Sequence, residues 1–333
     1  MKRKKLALKP ERSYIINLRK NKFMKKIKKI IVNFPTNIGD TILALPALDR
    51  IKANFPQSKI TAIVSPKTKD FLLKNNFIDI VVLFDKRWKV FRKIKFCLNL
   101  RKKFEVIVDF KNSMLPVFLG IKRHTPFIRF FPKNLHIKDK YLKIIKKIAP
   151  EPAQEKSQFI ISEEKKKKWD LSSQKKYVFF GCFSRSHRKD YNKNNLIITI
   201  NKLQVEYNCV LLGLPQDRQK INQNQLGARV VNLVGKTDIA DIYFLLASYA
   251  KVVVAVDSSI MHLSSYLNVP VVSLFGPTLP ECSGPWSKNS VILQNTDLNC
   301  VPCEGQKECK DIKCMDIEPK RIISEVKKIL NNG

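Results

Sequence analysis

The fold is decided by the stretch IKKIIVNFPTNIGDTILALPALDRIKAN, residues 27–54. Its first part, Ile27 to Phe34, is a short apolar run rich in β-branched residues, which is typical of a buried strand. Thr36 to Asp40 is the predicted turn, and from Thr41 to Asn54 apolar residues recur at helical spacing. A strand, a tight turn and a helix in this order predict the first βα unit of a parallel sheet.

The same alternation of strands and helices continues along the chain and predicts an α/β fold with parallel sheets. A polar, Lys-rich stretch at 163–176 has the composition of an interdomain linker. It separates two predicted α/β domains, 24–162 and 177–333, with a cleft between them. The further predicted strands are Lys59–Ser65, Ile78–Asp85 and Phe104–Phe110 before the linker, and Tyr177–Cys182, Cys209–Leu214, Val230–Val234, Val252–Val256 and Val271–Phe275 after it.

Charge and composition narrow the functional classes. The 333 residues include 63 Lys and Arg against 28 Asp and Glu, and the net charge of +35 favours an anionic partner such as a nucleic acid, a membrane surface or a phosphorylated substrate. Part of this excess is also compatible with an ordinary solvated surface. The apolar runs fall short of the roughly 20 residues that span a bilayer, and the N-terminus lacks the pattern of a secretory signal, so we expect a cytoplasmic protein.

Several familiar motifs are absent from the sequence. It contains no complete GxxxxGK[ST] phosphate loop, because Val230 stands where that motif needs the glycine before Gly235-Lys236-Thr237. It also contains no GxGxxG, no HExxH and no acidic pair of the DxD type after a strand. Nucleotide hydrolysis, dehydrogenase chemistry and metalloprotease chemistry therefore lack support.

Candidate functional residues follow the predicted strands, because ligands of open α/β sheets bind at the carboxyl ends of the strands. Gly39 and Asp40 lie between the first strand and the first helix. A carboxylate at Asp40 could accept the proton of an attacking hydroxyl. On its position alone, Asp40 is favoured as a cap of the helix that follows over a base.

A second candidate site follows the strand Val252–Val256. Asp257 could bind a sugar hydroxyl, and the amides and hydroxyls of Ser258 and Ser259 open a helix that is suited to a diphosphate. His262 shares the helix face of these serines and could contact the same phosphate. The alternative is a capping Asp or Ser with a half-buried histidine.

Two further loops end strands of the second domain. Ser184 to Asp190 is a basic loop, and one of its cations could neutralise a diphosphate leaving group without a metal ion. Gly276, in the turn after the last core strand, permits close approach of the backbone to a ligand.

Four cysteines occur in the pattern Cys-x2-Cys-x5-Cys-x4-Cys near the C-terminus. Thiolates at this spacing could form a tetrahedral structural zinc site, and the alternative is a reduced thiol loop. Either arrangement is peripheral to catalysis. The four residues are Cys300, Cys303, Cys309 and Cys314.

Three sequence motifs together resemble glycosyltransferase family 9, the bacterial heptosyltransferases of lipopolysaccharide inner-core assembly. They are NIGDTILALPAL (37–48), AVDSSIMHLSSYLNVPVVSLFGPT (255–278) and CVPCEGQKECKDIKCM (300–315). The resemblance runs from about Lys26 to the end of the chain. It implies the GT-B fold, with two Rossmann-like doubly wound domains, the acceptor on the first and a nucleotide-sugar donor on the second.

The resemblance also assigns roles to individual residues. Asp40 corresponds to the general base of the family, Lys189 to its donor-phosphate lysine and Asp257 to its donor-sugar aspartate. Ser259 replaces the glycine of the family's D-[TS]-G-x-x-H helix start, and Asp217 is a weak match to an acidic residue that usually follows the second strand of the donor domain. The residues expected to contact the donor are Asn37, Gly39, Thr41, Lys189, Asp257, Ser258, Ser259, His262 and Gly276.

The implied activity is inverting transfer of heptose from ADP-heptose to the lipopolysaccharide inner core, with Kdo-lipid A or a heptosyl group as acceptor. No cofactor or catalytic metal is expected. The alternatives are a family 9 enzyme with another nucleotide sugar or acceptor and, ranked last, a basic nucleic-acid-binding protein without a recognisable binding motif.

The implied acceptor is a phosphorylated lipid, so we expect a peripheral protein on the inner face of the cytoplasmic membrane. Residues 1–23 precede Met24, which resembles the usual start of such an enzyme, and they carry nine Lys and Arg against one Glu. This basic extension could bind an anionic membrane surface. The alternative is a solvated tail.

Overall fold

The computed structural model describes residues 27–172, 175–303, 309 and 311–332, so the predictions for 1–23 and Met24 lie outside the described residues. Strand β1 (Lys29–Asn33) is followed by helix α1 (Ile38–Asn54). The helix begins three residues earlier than predicted, and Gly39 and Asp40 therefore lie in its first turn instead of in the preceding loop. Within the described residues, no helix is long and apolar enough to cross a bilayer.

The first sheet is fully parallel, in the order β3-β2-β1-β4-β5. Because the chain starts in the middle and winds outward in both directions, right-handed crossovers place α1 and α2 on one face and α3 and α4 on the other. The remaining elements are β2 (Lys59–Val64), α2 (Lys69–Leu72), β3 (Ile80–Leu83), α3 (Val90–Leu100), β4 (Val106–Asp109), α4 (Leu115–Leu119), β5 (Arg123–His124) and α5 (Ile137–Ile145).

The second sheet is also parallel and has the order β11-β10-β9-β6-β7-β8. The elements of the second domain are β6 (Tyr177–Gly181), α7 (Lys193–Leu203), β7 (Asn208–Leu211), β8 (Val230–Asn232), α8 (Ile239–Tyr249), β9 (Ala250–Val256), α9 (Ser259–Leu267), β10 (Val271–Phe275), α10 (Pro280–Ser283), β11 (Val291–Gln294) and α11 (Pro319–Asn331). The C-terminal helix α11 packs on helix α7 and on strand β9.

The predicted α/β class, with two doubly wound parallel sheets, is confirmed. Seven of the nine predicted strands are one to four residues shorter than predicted, since apolar residues continue into the loops beyond the backbone pairing. Strand β10 has the predicted bounds, and β9 begins two residues earlier than predicted. The sequence missed the edge strands β5 and β11, because the first is an Arg-His pair without an apolar run and the second has only three apolar residues in a row.

The predicted linker 163–176 contains more structure than its composition suggests. Helix α6 (Glu163–Lys168) occupies its first part, and Trp169 is buried behind it. The amine of Lys165 lies 2.8 Å from the carboxylates of both Asp238 and Asp241. The Lys run therefore includes an anchor to the second domain.

The two domains are joined by a buried polar junction. The Tyr266 hydroxyl on α9 lies 2.8 Å and 3.0 Å from the two carboxylate oxygens of Asp49 on α1. The backbone N–H of Ser157 donates to the same carboxylate at 2.9 Å. Burial raises the pKa of Asp49 from 3.8 to about 6, although these hydrogen bonds act in the opposite direction.

This junction predicts a pH-dependent stability. Because the folded protein holds the Asp49 proton more tightly than the unfolded chain, the free energy of unfolding should fall as the pH rises from about 4 to about 6 and level off above. A shift of this size corresponds to at most about 3 kcal/mol. Denaturant unfolding of wild type and Asp49→Asn across this pH range measures the effect. If the free energy of unfolding changes with pH equally in the two proteins, the assignment of this effect to Asp49 is contradicted.

Candidate functional site

A cleft of about 850 Å³ lies between the carboxyl ends of the two sheets and is lined by both domains. Most of the predicted site residues meet there. The start of α1 forms one wall, and the loops after β6 and β9 form the other. The predicted residues that line the cleft are Asn37, Gly39, Asp40, Lys189, Asp257, Ser258, Ser259 and His262.

Asp40 is the carboxylate of the first wall. It lies in the first turn of α1, and its Oδ2 accepts a hydrogen bond of 3.2 Å from the side-chain amide of Asn37. The residue at the helix cap is Asn37, and no cap hydrogen bond is made by its side chain. Asp40 is therefore partly exposed at the cleft and does not act as the N-cap, which leaves its carboxylate available for proton transfer.

The two walls approach each other closely at Gly39. A Cβ atom at this position would lie 3.3 Å from Cδ2 of His262, on the opposite domain. Only a residue without a side chain fits here without displacing the imidazole. Beside this contact, the guanidinium of Arg185 donates to the side-chain oxygen of Asn37 at 3.4 Å across the cleft.

Asp257 and Lys189 form an ion pair in the second wall. The lysine Nζ lies 2.6 Å from Oδ2 of Asp257, which also accepts a hydrogen bond of 2.9 Å from the Thr278 hydroxyl. The Ser283 hydroxyl donates to the other oxygen at 3.3 Å. Burial acts to raise the pKa of Asp257, but the neighbouring His262 and Lys189 and these hydrogen bonds lower it below its usual value.

His262 is buried behind this pair. Its Nε2 lies 3.7 Å from Asp257, and its ring stacks on Trp286. Burial lowers the pKa of His262 to about 4, against the attraction of the aspartate. At neutral pH the imidazole is uncharged, and the cation beside Asp257 is Lys189. A phosphate contact with His262 would therefore be a hydrogen bond and not a charge pair.

The start of α9 presents polar groups that lack protein partners among the described residues. The Ser258 hydroxyl at the N-cap is buried without a hydrogen bond, and so is the Thr237 hydroxyl in the same cleft. Buried hydroxyls are rarely left unpaired. Together with the free amides of the helix start, they form a site for an anionic ligand with several oxygens.

Two residues expected to contact the donor lie behind the cleft wall instead. Thr41 is fully buried, and its hydroxyl donates to the carbonyl of Asn37 at 2.8 Å, which completes the first helical turn. Gly276 is buried against Met315 and Cys314, and a Cβ atom there would lie 2.5 Å from the methionine sulfur. These two residues support the cleft wall by packing.

The basic loop after β6 divides between two sites. Arg185 and Lys189 line the cleft, whereas Arg188 lines a separate pocket near the C-terminus. Asp190 holds the loop by accepting from the Ser184 amide at 2.6 Å. Asp217, the weak match for an acidic donor-site residue, is buried, accepts from the Leu214 amide and does not line the cleft.

The four C-terminal cysteines line a single pocket of about 340 Å³. Burial raises the pKa of the Cys314 thiol, and the other three cysteines add to this effect. Among the described residues, however, no three metal-binding side chains are placed to hold an ion. The zinc site stays a prediction, and Cys314 of this pocket packs against Gly276.

The sequence analysis missed several polar residues of the second wall, among them three with hydroxyl groups. Thr237, Thr278 and Ser283 line the cleft, and the last two hydrogen-bond Asp257. Thr278 could have been found, because it follows β10 as Asp257 follows β9. The other two lie before or within helices, where no strand-end signal exists.

Comparison with known proteins identifies the family of this chain. The family model of glycosyltransferase family 9 (heptosyltransferase) matches residues 131–313, more than half of the chain. The chain belongs to glycosyltransferase family 9. It is therefore a glycosyltransferase, as the three sequence motifs predicted.

Relatives of this family 9 protein cover nearly its whole length. It is 28% identical to lipooligosaccharide heptosyltransferase 2 of Campylobacter jejuni, over 92% of this chain and 99% of the relative. It is 24% identical to lipopolysaccharide heptosyltransferase 2 of Escherichia coli K12, over 91% and 98%. The structure of E. coli ADP-heptose lps heptosyltransferase II superposes with a TM-score of 0.72 at 22% identity, covering 91% and 99%. The predicted GT-B fold is confirmed.

Proposed function

We propose that this protein transfers heptose from ADP-heptose to the lipopolysaccharide inner core, with inversion at the anomeric carbon. The observation that carries the proposal is the cleft, which places Asp40 of one domain opposite the Lys189–Asp257 pair and the α9 start of the other. The named relatives are heptosyltransferases that act on lipopolysaccharide or lipooligosaccharide. The acceptor is Kdo-lipid A or a heptosyl group already attached to it.

On the acceptor side, Asp40 removes the proton of the attacking hydroxyl. The side-chain amide of Asn37 donates to Oδ2, which fixes the carboxylate in the first turn of α1. The other carboxylate oxygen remains for the substrate. The hydroxyl oxygen then attacks the anomeric carbon while the bond to the diphosphate breaks.

On the donor side, the second wall stabilises the departing ADP. The amine of Lys189, the amides at the start of α9 and the Ser258 hydroxyl supply positive charge and hydrogen bonds for the diphosphate. Asp257 holds the lysine in place at 2.6 Å before the donor binds. These groups supply the charge that a catalytic metal would otherwise provide, so turnover should persist in EDTA.

Nucleotide-dependent melting tests the donor. At a concentration 100 times its dissociation constant, a ligand stabilises the folded state by about 2.7 kcal/mol. We expect ADP to raise the melting temperature more than UDP or GDP at equal concentration. Mass spectrometry of the acceptor after incubation with ADP-heptose then identifies the product.

Two outcomes would contradict the proposal. A larger shift with UDP or GDP would favour a family 9 enzyme that uses another nucleotide sugar. If ADP raises the melting temperature but the inner-core acceptor gains no mass of one heptose, the nucleotide is assigned correctly and this acceptor is excluded.

A further inference from the structure

The first domain exposes many apolar side chains on one part of its surface. Among the described residues, ten of the eighteen large apolar side chains that are exposed fall between residues 90 and 130. Phe91 is 77% exposed and Phe130 is 90% exposed. Soluble domains seldom expose contiguous apolar surface without a binding role. The most useful markers of this apolar surface are Phe91, Ile94, Leu98, Val117, Phe118 and Phe130.

Helix α3 shows why this surface is unusual. Phe96 and Leu100 face the sheet and pack in its core. Phe91, Ile94 and Leu98 recur at i, i+3 and i+7, so they form a second apolar stripe, and this stripe is exposed. Helix α4 contacts α3 and extends the exposed surface through its own apolar residues.

The apolar surface reaches the edge of the sheet that carries the catalytic carboxylate. Helix α3 begins after β3, α4 begins after β4, and Phe130 lies in the loop after β5. Asp40 follows β1 of the same parallel sheet. The carboxyl ends of parallel strands meet at one edge, so the starts of α3 and α4 and the loop that carries Phe130 lie at the same edge of the sheet as Asp40.

The charge around the apolar surface is almost entirely positive. Residues 86–138 contain fifteen Lys and Arg but only two acidic residues, Glu105 and Asp109. Asp109 is buried, whereas Glu105 is exposed and accepts from the backbone of Lys28 and Lys29. Arg87 and Lys138 pair with Asp85 and Asp139, which flank this range. The exposed ionic groups of this region therefore carry a large excess of positive charge.

We propose that this apolar and basic surface docks on an anionic membrane. Cations match the phosphates of lipid headgroups, and exposed Phe, Ile and Val side chains enter the boundary between headgroups and acyl chains. The inference deepens the proposed function and rests on it for the lipid acceptor. It assigns membrane binding to the folded first domain, the domain that also carries Asp40.

Vesicle binding by the full-length protein tests the surface. We expect salt-sensitive binding to phosphatidylglycerol–phosphatidylethanolamine vesicles and little to phosphatidylcholine vesicles. The double variant Phe91→Ser, Phe118→Ser should bind the anionic vesicles about tenfold more weakly than wild type, because it loses two large apolar contacts. The matched control Ile198→Ser, Val205→Ser removes two exposed apolar side chains from the second domain and should bind like wild type.

The basic extension 1–23 is present in all these proteins and cannot produce a difference between them. Melting temperatures verify folding, and turnover on a delipidated soluble acceptor should be unchanged in both variants. Equal vesicle binding by wild type and the Phe91, Phe118 variant would overturn the proposal. If the two proteins bind vesicles equally, and wild type is a dimer whereas the variant is a monomer, the surface is an interface between copies of this chain.

The proposed function can fail separately. A protein that transfers no heptose but still loses vesicle binding through the Phe91, Phe118 substitutions would contradict the activity and support the membrane surface.

Discussion

Replacement of Asp40 by asparagine should reduce sugar transfer by roughly 10²- to 10⁴-fold, the range that a positioned general base contributes. Asparagine keeps the shape of the side chain and the hydrogen bond to Asn37, but it cannot accept the acceptor proton. Donor binding should be nearly intact, because Asp40 lies in the wall opposite the anion site. Initial rates and ADP-induced melting shifts measure the two effects separately.

Asp139→Asn is the matched control for this variant. Asp139 also lies in the first turn of a helix of the first domain, α5, but does not line the cleft. Its substitution should leave turnover within a few-fold of wild type. If the Asp40 variant melts normally and keeps comparable turnover, the carboxylate is structural and the base lies elsewhere.

Replacement of Lys189 by alanine should lower turnover by roughly 10²- to 10³-fold, the cost of removing one group that stabilises developing charge. It should also weaken ADP binding, whereas Asp257→Ala should bind ADP almost normally and lose donor use through the sugar. The ion pair adds a further expectation. Because Lys189→Ala leaves the buried Asp257 carboxylate beside the phosphates, the double variant should bind ADP more tightly than Lys189→Ala alone.

Calorimetric ADP titration of the two single variants and the double variant measures this coupling. Lys236→Ala is the matched control, since this exposed lysine hydrogen-bonds a backbone carbonyl and does not line the cleft. Unchanged ADP affinity in Lys189→Ala would remove the lysine from the phosphate site.

The convergence of Asp40, Lys189 and Asp257 could be predicted from the sequence because each follows a strand. Parallel strands bring their carboxyl ends to one edge, so position along the chain translates directly into position in space. The strand segments are short and apolar, so their number and their order along the chain can be predicted. This logic predicted the two sheets, apart from the edge strands β5 and β11.

Contacts across the domains could not be predicted in the same way. The neutral state of His262 depends on complete burial, and the closeness of Gly39 to it depends on how the walls meet. The pairing of Asp49 with Tyr266 joins residues more than 200 positions apart. The exposure of the α3 stripe was equally hidden, since its spacing is the spacing of an ordinary core helix.

The Asp49–Tyr266 bond also has a mechanical consequence for the enzyme. Helix α9 is a stiff rod of about 13 Å, with the anion-binding amides at its first residues and Tyr266 near its last turn. We therefore expect a rotation of one domain against the other to pivot near the tyrosine end, where the phenol contacts both carboxylate oxygens, and to move the phosphate end of the helix further than the tyrosine end.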